Sequence, residues 1–222
     1  MMIQYLEIKA NADIFTTETK ADLLELWLDN GDRKIPIYVK VKSVTPQSGN
    51  QAQVILQLQP QFGGDIVPLS QLNVGTLLTL SNDFRKQELG KAEAVRRWFE
   101  PAPQSAWKVT PFPDDTKTVL DYERSFSDNE YNRIILGEIP SSMEDKWFCY
   151  FENGWLYWHR SWTGIGVFEV HIEQVSNIFK VTKAFLNPDT LKENSPLSTT
   201  PAEMLDSLID NMCREAMQLF DE

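Results

Sequence analysis

"MEDKWFCYFENGWLYWHRSWTGIGVFEV", residues 143–170, is the stretch that decides how the second half of this chain folds. Four of the chain's seven tryptophans lie within sixteen of these residues, at positions 147, 155, 158 and 162. Two aromatic-rich runs flank Asn153-Gly154, a dipeptide typical of a two-residue β-hairpin turn. We therefore predict a hairpin in which Glu152 faces Trp155.

This register divides the hairpin side chains between two faces of a sheet, because successive side chains of a strand alternate. One face is predicted to carry Trp147, Cys149, Phe151, Leu156, Trp158, Arg160 and Trp162, and the other Phe148, Tyr150, Glu152, Trp155, Tyr157, His159 and Ser161. Both faces are aromatic, whereas a sheet with one solvent-exposed face carries polar residues on that face. Either both faces are covered, one by a C-terminal helix and one by another domain, or one face is a concave ligand surface.

The residues after the hairpin predict two more strands and a helix. "VFEVHIEQ" and "IFKVTKAFL" extend the hairpin into a four-stranded antiparallel meander, because the connections are short. A helix is predicted after Thr200, with Pro201 at its first position and Glu203 completing a capping box. Its apolar stripe is predicted to pack on the sheet and consists of Leu205, Leu208, Ile209, Met212, Ala216, Leu219 and Phe220.

The first 85 residues read as short strands separated by turns, a pattern typical of a small barrel or sandwich. Asn30-Gly31 marks a hairpin between two apolar-rich runs. The run "TKADLLELW" before that hairpin also fits a helical stripe, but the turn that follows it favours a strand. The N-terminal part is therefore predicted to be β-rich.

A change in composition predicts where the two parts separate. Residues 83–99 contain many helix formers and predict a helix that ends near Phe99. Four prolines between residues 101 and 113 then indicate a connector. The predicted fold class is α+β, with a β-rich domain at 1–82, a helix and Pro-rich connector at 83–123, and an antiparallel sheet with a long helix at 124–222.

Charge and composition limit the classes of partner. The net charge is -11, and residues 136–222 carry 6 Lys/Arg against 14 Asp/Glu. Such a field disfavours nucleic acid and would attract a basic protein, although solubility alone also explains it. No apolar run reaches the ~18 residues of a membrane span. The start lacks a signal-peptide pattern. Cys149 and Cys213 match no metal spacing. We predict a cytoplasmic protein without membrane contact, metal or cofactor.

Arg160 allows two interpretations. Opposite Trp147, it is placed for a cation–π contact. It is either a structural residue paired with Asp145 or Glu144, or an anion receptor in an aromatic slot that suits a nucleotide-like ligand. His159 accompanies no recognisable serine or cysteine nucleophile motif, so no catalytic residue is predicted. "RSWTGIG" lacks the lysine and the helix of a phosphate loop.

The string "MEDKWFCYFENGWLYWHRSWTG" (143–164), preceded by "RIILGEIPSS" (133–142), resembles a hallmark of a family of small, largely uncharacterised bacterial proteins. The resemblance covers roughly residues 124–175. It implies a bacterial protein and a link with ADP-ribose-processing modules, but no established activity. Carried over residue by residue, it singles out Glu144, Asp145, Lys146, Trp147, His159, Arg160, Ser161, Trp162 and Thr163.

Two functions remain open from the sequence. The first is a non-enzymatic binding or inhibitor protein of the immunity or antitoxin kind, which engages a basic partner through an acidic, aromatic C-terminal domain. The alternative is a site for a nucleotide- or ADP-ribose-type ligand around the hairpin, in either a binding protein or an enzyme. The predicted ligand- or partner-binding residues are Lys146, Trp147, Trp158, His159, Arg160, Ser161, Trp162 and Thr163. Convergence of Lys146, Trp147, His159, Arg160 and Trp162 in one pocket would favour the alternative.

Overall fold

The structure of the chain is a computed structural model. It describes residues 3–15, 23–29, 34–59, 74–82, 87–110, 112, 114–141, 144–191 and 200–220. The chain divides into two compact units, Ile3–Glu100 and Pro101–Glu222. Within the described ranges, no helix combines the length and the apolar content needed to cross a membrane.

The N-terminal unit is a closed six-stranded antiparallel barrel, one of the two forms predicted. Its strands are β1 (Ile3–Asn11), β2 (Leu23–Asp29), β3 (Lys34–Pro46), β4 (Gln51–Leu58), β5 (Leu77–Asn82) and β6 (Gln87–Glu100). They follow the order β1-β4-β3-β2-β5-β6, and β6 pairs with β1 to close the barrel. Alternate side chains such as Leu6, Ile8, Val54 and Leu56 are buried. "TKADLLELW" contributes to β2, while the predicted Asn30-Gly31 turn lies outside the described residues.

The predicted helix over 83–99 is wrong, because residues 87–100 form the strand β6. In β6 the buried Ala92 and Ala94 alternate with the exposed Lys91 and Glu93, which is the two-residue period of a strand. Lys, Glu and Ala favour helix in isolation, but β6 hydrogen-bonds to both β1 and β5. The backbone pairing that closes the barrel therefore outweighs the local preference.

The C-terminal unit contains the predicted meander, enlarged by two short strands. Its strands are β7 (Thr118–Val119), β8 (Ser125–Phe126), β9 (Trp147–Glu152), β10 (Trp155–Arg160), β11 (Gly166–Val175) and β12 (Ile178–Leu186). The order is β7-β12-β11-β10-β9, with β8 also pairing with β12. Two helices accompany the sheet, α1 (Asp128–Ile134) and α2 (Pro201–Phe220). Neither β7, β8 nor α1 was predicted.

The start of α2 is confirmed in detail. Thr200 N and Oγ1 donate to Glu203 Oε2 at 2.7 and 3.0 Å, and Glu203 N donates to Thr200 Oγ1 at 3.2 Å. The predicted stripe supplies buried residues Leu205, Ile209 and Met212. The side chains of Ala216, Leu219 and Phe220 lie outside the described residues.

Both faces of the sheet carry a buried cluster. On one face, Leu156, Trp158 and Phe168 pack with residues of α1 and α2. On the other, Phe148 and Tyr150 pack with Ala102 of the same unit. The segment 102–112, which the sequence indicated only as a connector, therefore covers part of the second face.

Candidate functional site

The predicted hairpin register is confirmed and places the candidate residues on two faces. Glu152 faces Trp155, Trp147 faces Arg160, and Phe148 faces His159. The Asn153-Gly154 turn has positive φ at both residues, 52° and 83°, as a type I′ turn requires. The side chains of Arg160 and His159 consequently leave the sheet in opposite directions.

Trp158 is part of the hydrophobic core. It is 2% exposed and belongs to the cluster that packs against the helices. Ser161 is also buried, and its Oγ donates to Asp145 O at 2.5 Å. These two predicted binding residues therefore support the hairpin from inside and are not accessible to a ligand.

Arg160 makes the predicted cation–π contact. Its Cζ lies 4.2 Å from the centroid of the Trp147 ring, and the side chain is half-buried. Burial lowers the pKa of the Arg160 guanidinium below its usual range. Among the described residues, Arg160 forms no salt bridge within 4.0 Å, so the predicted pairing with Asp145 or Glu144 is not formed. The Asp145 carboxylate instead accepts from Ser141 N at 2.7 Å.

The turn between β10 and β11 is held by backbone hydrogen bonds. Gly164 N donates to Arg160 O at 2.7 Å, and Arg160 N donates to Ile165 O at 2.9 Å. Ser161 N donates to Lys146 O at 3.0 Å, which joins the turn to the start of β9. Thr163 Oγ1 accepts from Ile165 N at 3.2 Å. The turn therefore has a defined backbone geometry.

Residues of the segment 102–112 also form hydrogen bonds with this turn. Trp107 Nε1 donates to Ser161 O at 2.7 Å, and Lys108 Nζ donates to Trp162 O. Thr110 N donates to Gly164 O at 2.8 Å. These long-range contacts, which the sequence did not predict, hold the turn against a second piece of chain.

The turn presents apolar side chains to solvent. Trp162 is 67% exposed, and Trp107 and Ile165 are 37% and 38% exposed. Lys146 and Thr163 are exposed as well. The sequence analysis did not predict Trp107 or Ile165 as site residues. The one sequence feature that could have indicated Trp107 is the presence of a tryptophan in a proline-rich polar segment. Exposed aromatic side chains on a rigid backbone are typical of binding surfaces.

His159 is a structural residue. It is 3% exposed and stacks on Tyr150, with ring centroids 5.6 Å apart. Its Nδ1 lies 2.9 Å from Gly164 O, and a carbonyl can only accept, so Nδ1 carries the proton. Burial lowers the pKa of His159, which the hydrogen bond to Gly164 opposes. The imidazole is therefore neutral near pH 7.

The lowered pKa of His159 predicts a loss of stability in mild acid. The unfolded state, with a His pKa of ~6.5, binds a proton that the folded state resists, so stability falls as pH drops from about 7 to about 5. The slope is at most ~1.4 kcal/mol per pH unit. Urea unfolding across this range should show a smaller pH slope in His159→Phe than in the parent protein. An unchanged slope would contradict a buried neutral His159.

The helices α1 and α2 and the segment before β8 carry six exposed carboxylates. We refer to these six side chains together as the acidic surface: Asp121, Glu123, Asp128, Glu203, Asp206 and Asp210. Tyr122 Oη donates to Asp206 Oδ1 at 2.8 Å, which brings the segment before β8 against α2. The sequence showed the excess of acidic residues but not this contact between the segment before β8 and α2.

Arg124 is a cation that pairs with carboxylates of both α1 and α2. Its Nη1 lies 2.8 Å from both Asp206 Oδ1 and Asp210 Oδ1, and its Nη2 lies 3.9 Å from Glu130 Oε1. Burial by itself lowers the pKa of Arg124, but hydrogen bonds with Asp210, Tyr122 and Asp206 outweigh it and raise that pKa. One positive charge is therefore shared by three carboxylates, so this cluster of four side chains has a negative net charge.

The described residues contain no group of three or more His, Cys, Asp or Glu side chains arranged to hold a metal ion. Cys149 and Cys213 are both buried free thiols, and burial raises the pKa of each.

Comparison of the chain with protein-family models, curated proteins and solved structures finds no match. The family resemblance of residues 124–175 therefore stays a prediction.

Proposed function

We propose that this protein is a non-enzymatic binding protein, of the immunity or antitoxin kind, whose C-terminal unit engages a basic protein partner. The observation that supports it best is the cluster of three carboxylates, Glu130, Asp206 and Asp210, around one shared arginine, Arg124. The exposed Trp162 and Trp107 supply an aromatic surface on the same unit.

The charge of the chain is concentrated in the C-terminal unit. Residues 101–222 carry 10 Lys/Arg against 20 Asp/Glu, whereas residues 3–100 carry 11 against 12. The net charge of -11 therefore belongs almost entirely to one unit. A field of one sign on one unit steers an oppositely charged protein toward that unit and raises the association rate.

The alternative site for a nucleotide- or ADP-ribose-type ligand is less well supported as one pocket. His159 is buried on the face of the sheet opposite to Arg160, and Trp158 is buried in the core. Once the buried Trp158, His159 and Ser161 are removed, the predicted set reduces to Lys146, Trp147, Arg160, Trp162 and Thr163. A catalytic role for His159 would require a ligand to reach a side chain that is 3% exposed.

Charge reversal on the acidic surface tests the proposed function. In an affinity capture from native lysate at low salt, the parent protein is expected to retain a basic protein and to release it as salt rises. Asp121→Lys/Glu123→Lys is expected to slow association with the captured protein at least tenfold, since steering contributes ~10- to 1000-fold to association rates. Neither carboxylate has a salt bridge among the described pairs, so folding should be preserved.

The matched control reverses two acids of the same unit outside the acidic surface. Asp115 and Glu152 are exposed residues of the same unit, and Asp115→Lys/Glu152→Lys makes the same change in net charge. Association should slow much less in this control. Equal losses in both double variants, or capture of no basic protein, would exclude the acidic surface as the partner site.

A further inference from the structure

Four cationic side chains in the described residues stack on aromatic rings, and they differ in how their charge is balanced. Lys117 lies over Phe112 and pairs with Asp114 and Glu169 at 2.8 and 3.0 Å. Arg124 lies over Phe126 and is surrounded by carboxylates, as described above.

The other two have no carboxylate partner among the residues that the structure describes, but only one of them is removed from water. Arg96 lies 5.0 Å over Trp98 and is exposed on the barrel, where water solvates its charge. Arg160 lies 4.2 Å over Trp147 and is half-buried. Arg160 is therefore the partly desolvated cation of this set whose charge no described carboxylate balances.

An anionic ligand would complete the surroundings of Arg160. The guanidinium is planar and carries five N–H donors in a fixed fork that matches the oxygens of a phosphate or carboxylate. Stacking on Trp147 restrains the plane of this fork, so less side-chain freedom is lost when an anion binds. Partial burial strengthens each charge-assisted hydrogen bond relative to one in water.

The neighbouring turn offers a second contact. Trp162 is two residues from Arg160, so their Cα atoms are at most ~7 Å apart. Trp162 is 67% exposed, and its backbone is held by Lys108. Lys146 and Lys108 are exposed beside the turn, while Glu144 and Asp145 are the acids that precede Lys146. A ligand with a ring as well as an anionic group could therefore contact both Arg160 and an indole surface.

We propose that Arg160, supported by Trp147, binds the phosphate or carboxylate of a small molecule, and that Trp162 stacks on a ring of the same molecule. This site shares no residue with the acidic surface, and the proposal for it does not rest on the protein partner proposed above. His159 takes no part in it, because its side chain lies on the other face of the sheet.

Calorimetric titration of the whole chain with AMP, inorganic phosphate and succinate tests the site. AMP is expected to bind more tightly than inorganic phosphate, because only AMP offers a ring to Trp162. Arg160→Lys is expected to weaken AMP binding about tenfold or more, because lysine is a point charge without the bidentate fork. Succinate binding stronger than phosphate binding would identify a carboxylate as the preferred anion.

Two further variants separate the ligand site from effects on folding. Arg96→Lys changes the equivalent arginine–tryptophan pair on the barrel and should leave the affinity for AMP unchanged. Trp162→Ala alters an exposed side chain and should reduce the affinity for AMP to that for inorganic phosphate. The proposal is overturned if the parent protein binds none of the three probes at millimolar concentration, or if Arg160→Lys binds AMP as the parent does.

Discussion

The Gly137→Ala variant is expected to lose at least ~3 kcal/mol of stability in the C-terminal unit. Gly137 follows α1 with φ +64°, and a Cβ at this position would lie 2.3 Å from Cys149 O and 3.1 Å from Tyr150 Cα. Both obstacles are backbone atoms of β9, so no side-chain rotation relieves the overlap. Moving them would break the paired hydrogen bonds between Glu138 and Cys149, at 2.7 and 2.8 Å.

Urea unfolding followed by tryptophan fluorescence measures this loss, since five of the seven tryptophans belong to the C-terminal unit. Gly75→Ala is the control for backbone conformation alone, because Gly75 has φ +85° but no atom of the described residues within 4 Å of its added Cβ. Its cost should be ~1 to 2 kcal/mol, confined to the barrel. Similar losses in the two variants would show that Gly137 is not in close contact with β9.

The Arg124→Met variant is expected to lose ~2 kcal/mol of stability and to loosen α2 from the sheet. Methionine keeps the aliphatic contact but leaves Asp206, Asp210 and Glu130 facing one another without a cation. The Arg124 side chain is 15% exposed, whereas Asp206 and Asp210 are each 52% exposed. Solvent therefore screens part of the repulsion, which keeps the loss below that of a fully buried pair.

Salt distinguishes this electrostatic loss from a packing defect. Added salt should restore part of the stability of Arg124→Met, because it screens repulsion between the remaining carboxylates. Arg214→Met is the matched control: Arg214 is an exposed arginine of the same helix, and its removal should cost less than ~0.5 kcal/mol. Equal losses at both positions in urea unfolding would contradict the role of Arg124 in holding α2.

Local sequence was sufficient for the elements whose geometry depends on neighbouring residues. The Asn153-Gly154 turn set the register of β9 and β10, because a two-residue turn leaves one pairing of the flanking strands. The start of α2 followed from Thr200 and Glu203, whose capping hydrogen bonds span three residues. The Arg160–Trp147 stack followed from the same register.

Elements whose structure depends on partners distant in the chain could not be predicted from the sequence. The strand β6 was predicted as a helix, because its pairing with β1 involves residues more than 80 positions away. The two-residue strands β7 and β8 exist only as partners of β12 and show no period of their own. The cover over Phe148 and Tyr150 comes from residues near 102, which the sequence indicated only as a connector.

The same division applies to the candidate sites. The sequence by itself determined which residues face each side of the hairpin and that the C-terminal part is acidic, since strand alternation and charge are local properties. Only the tertiary structure decided which side chains are accessible: it buries Trp158 and His159, exposes Trp162, and leaves Arg160 without a described carboxylate. It also gathers Glu130, Asp206 and Asp210 around Arg124. Burial and ion pairing depend on which segments distant in the chain come into contact, and local sequence patterns do not specify those contacts.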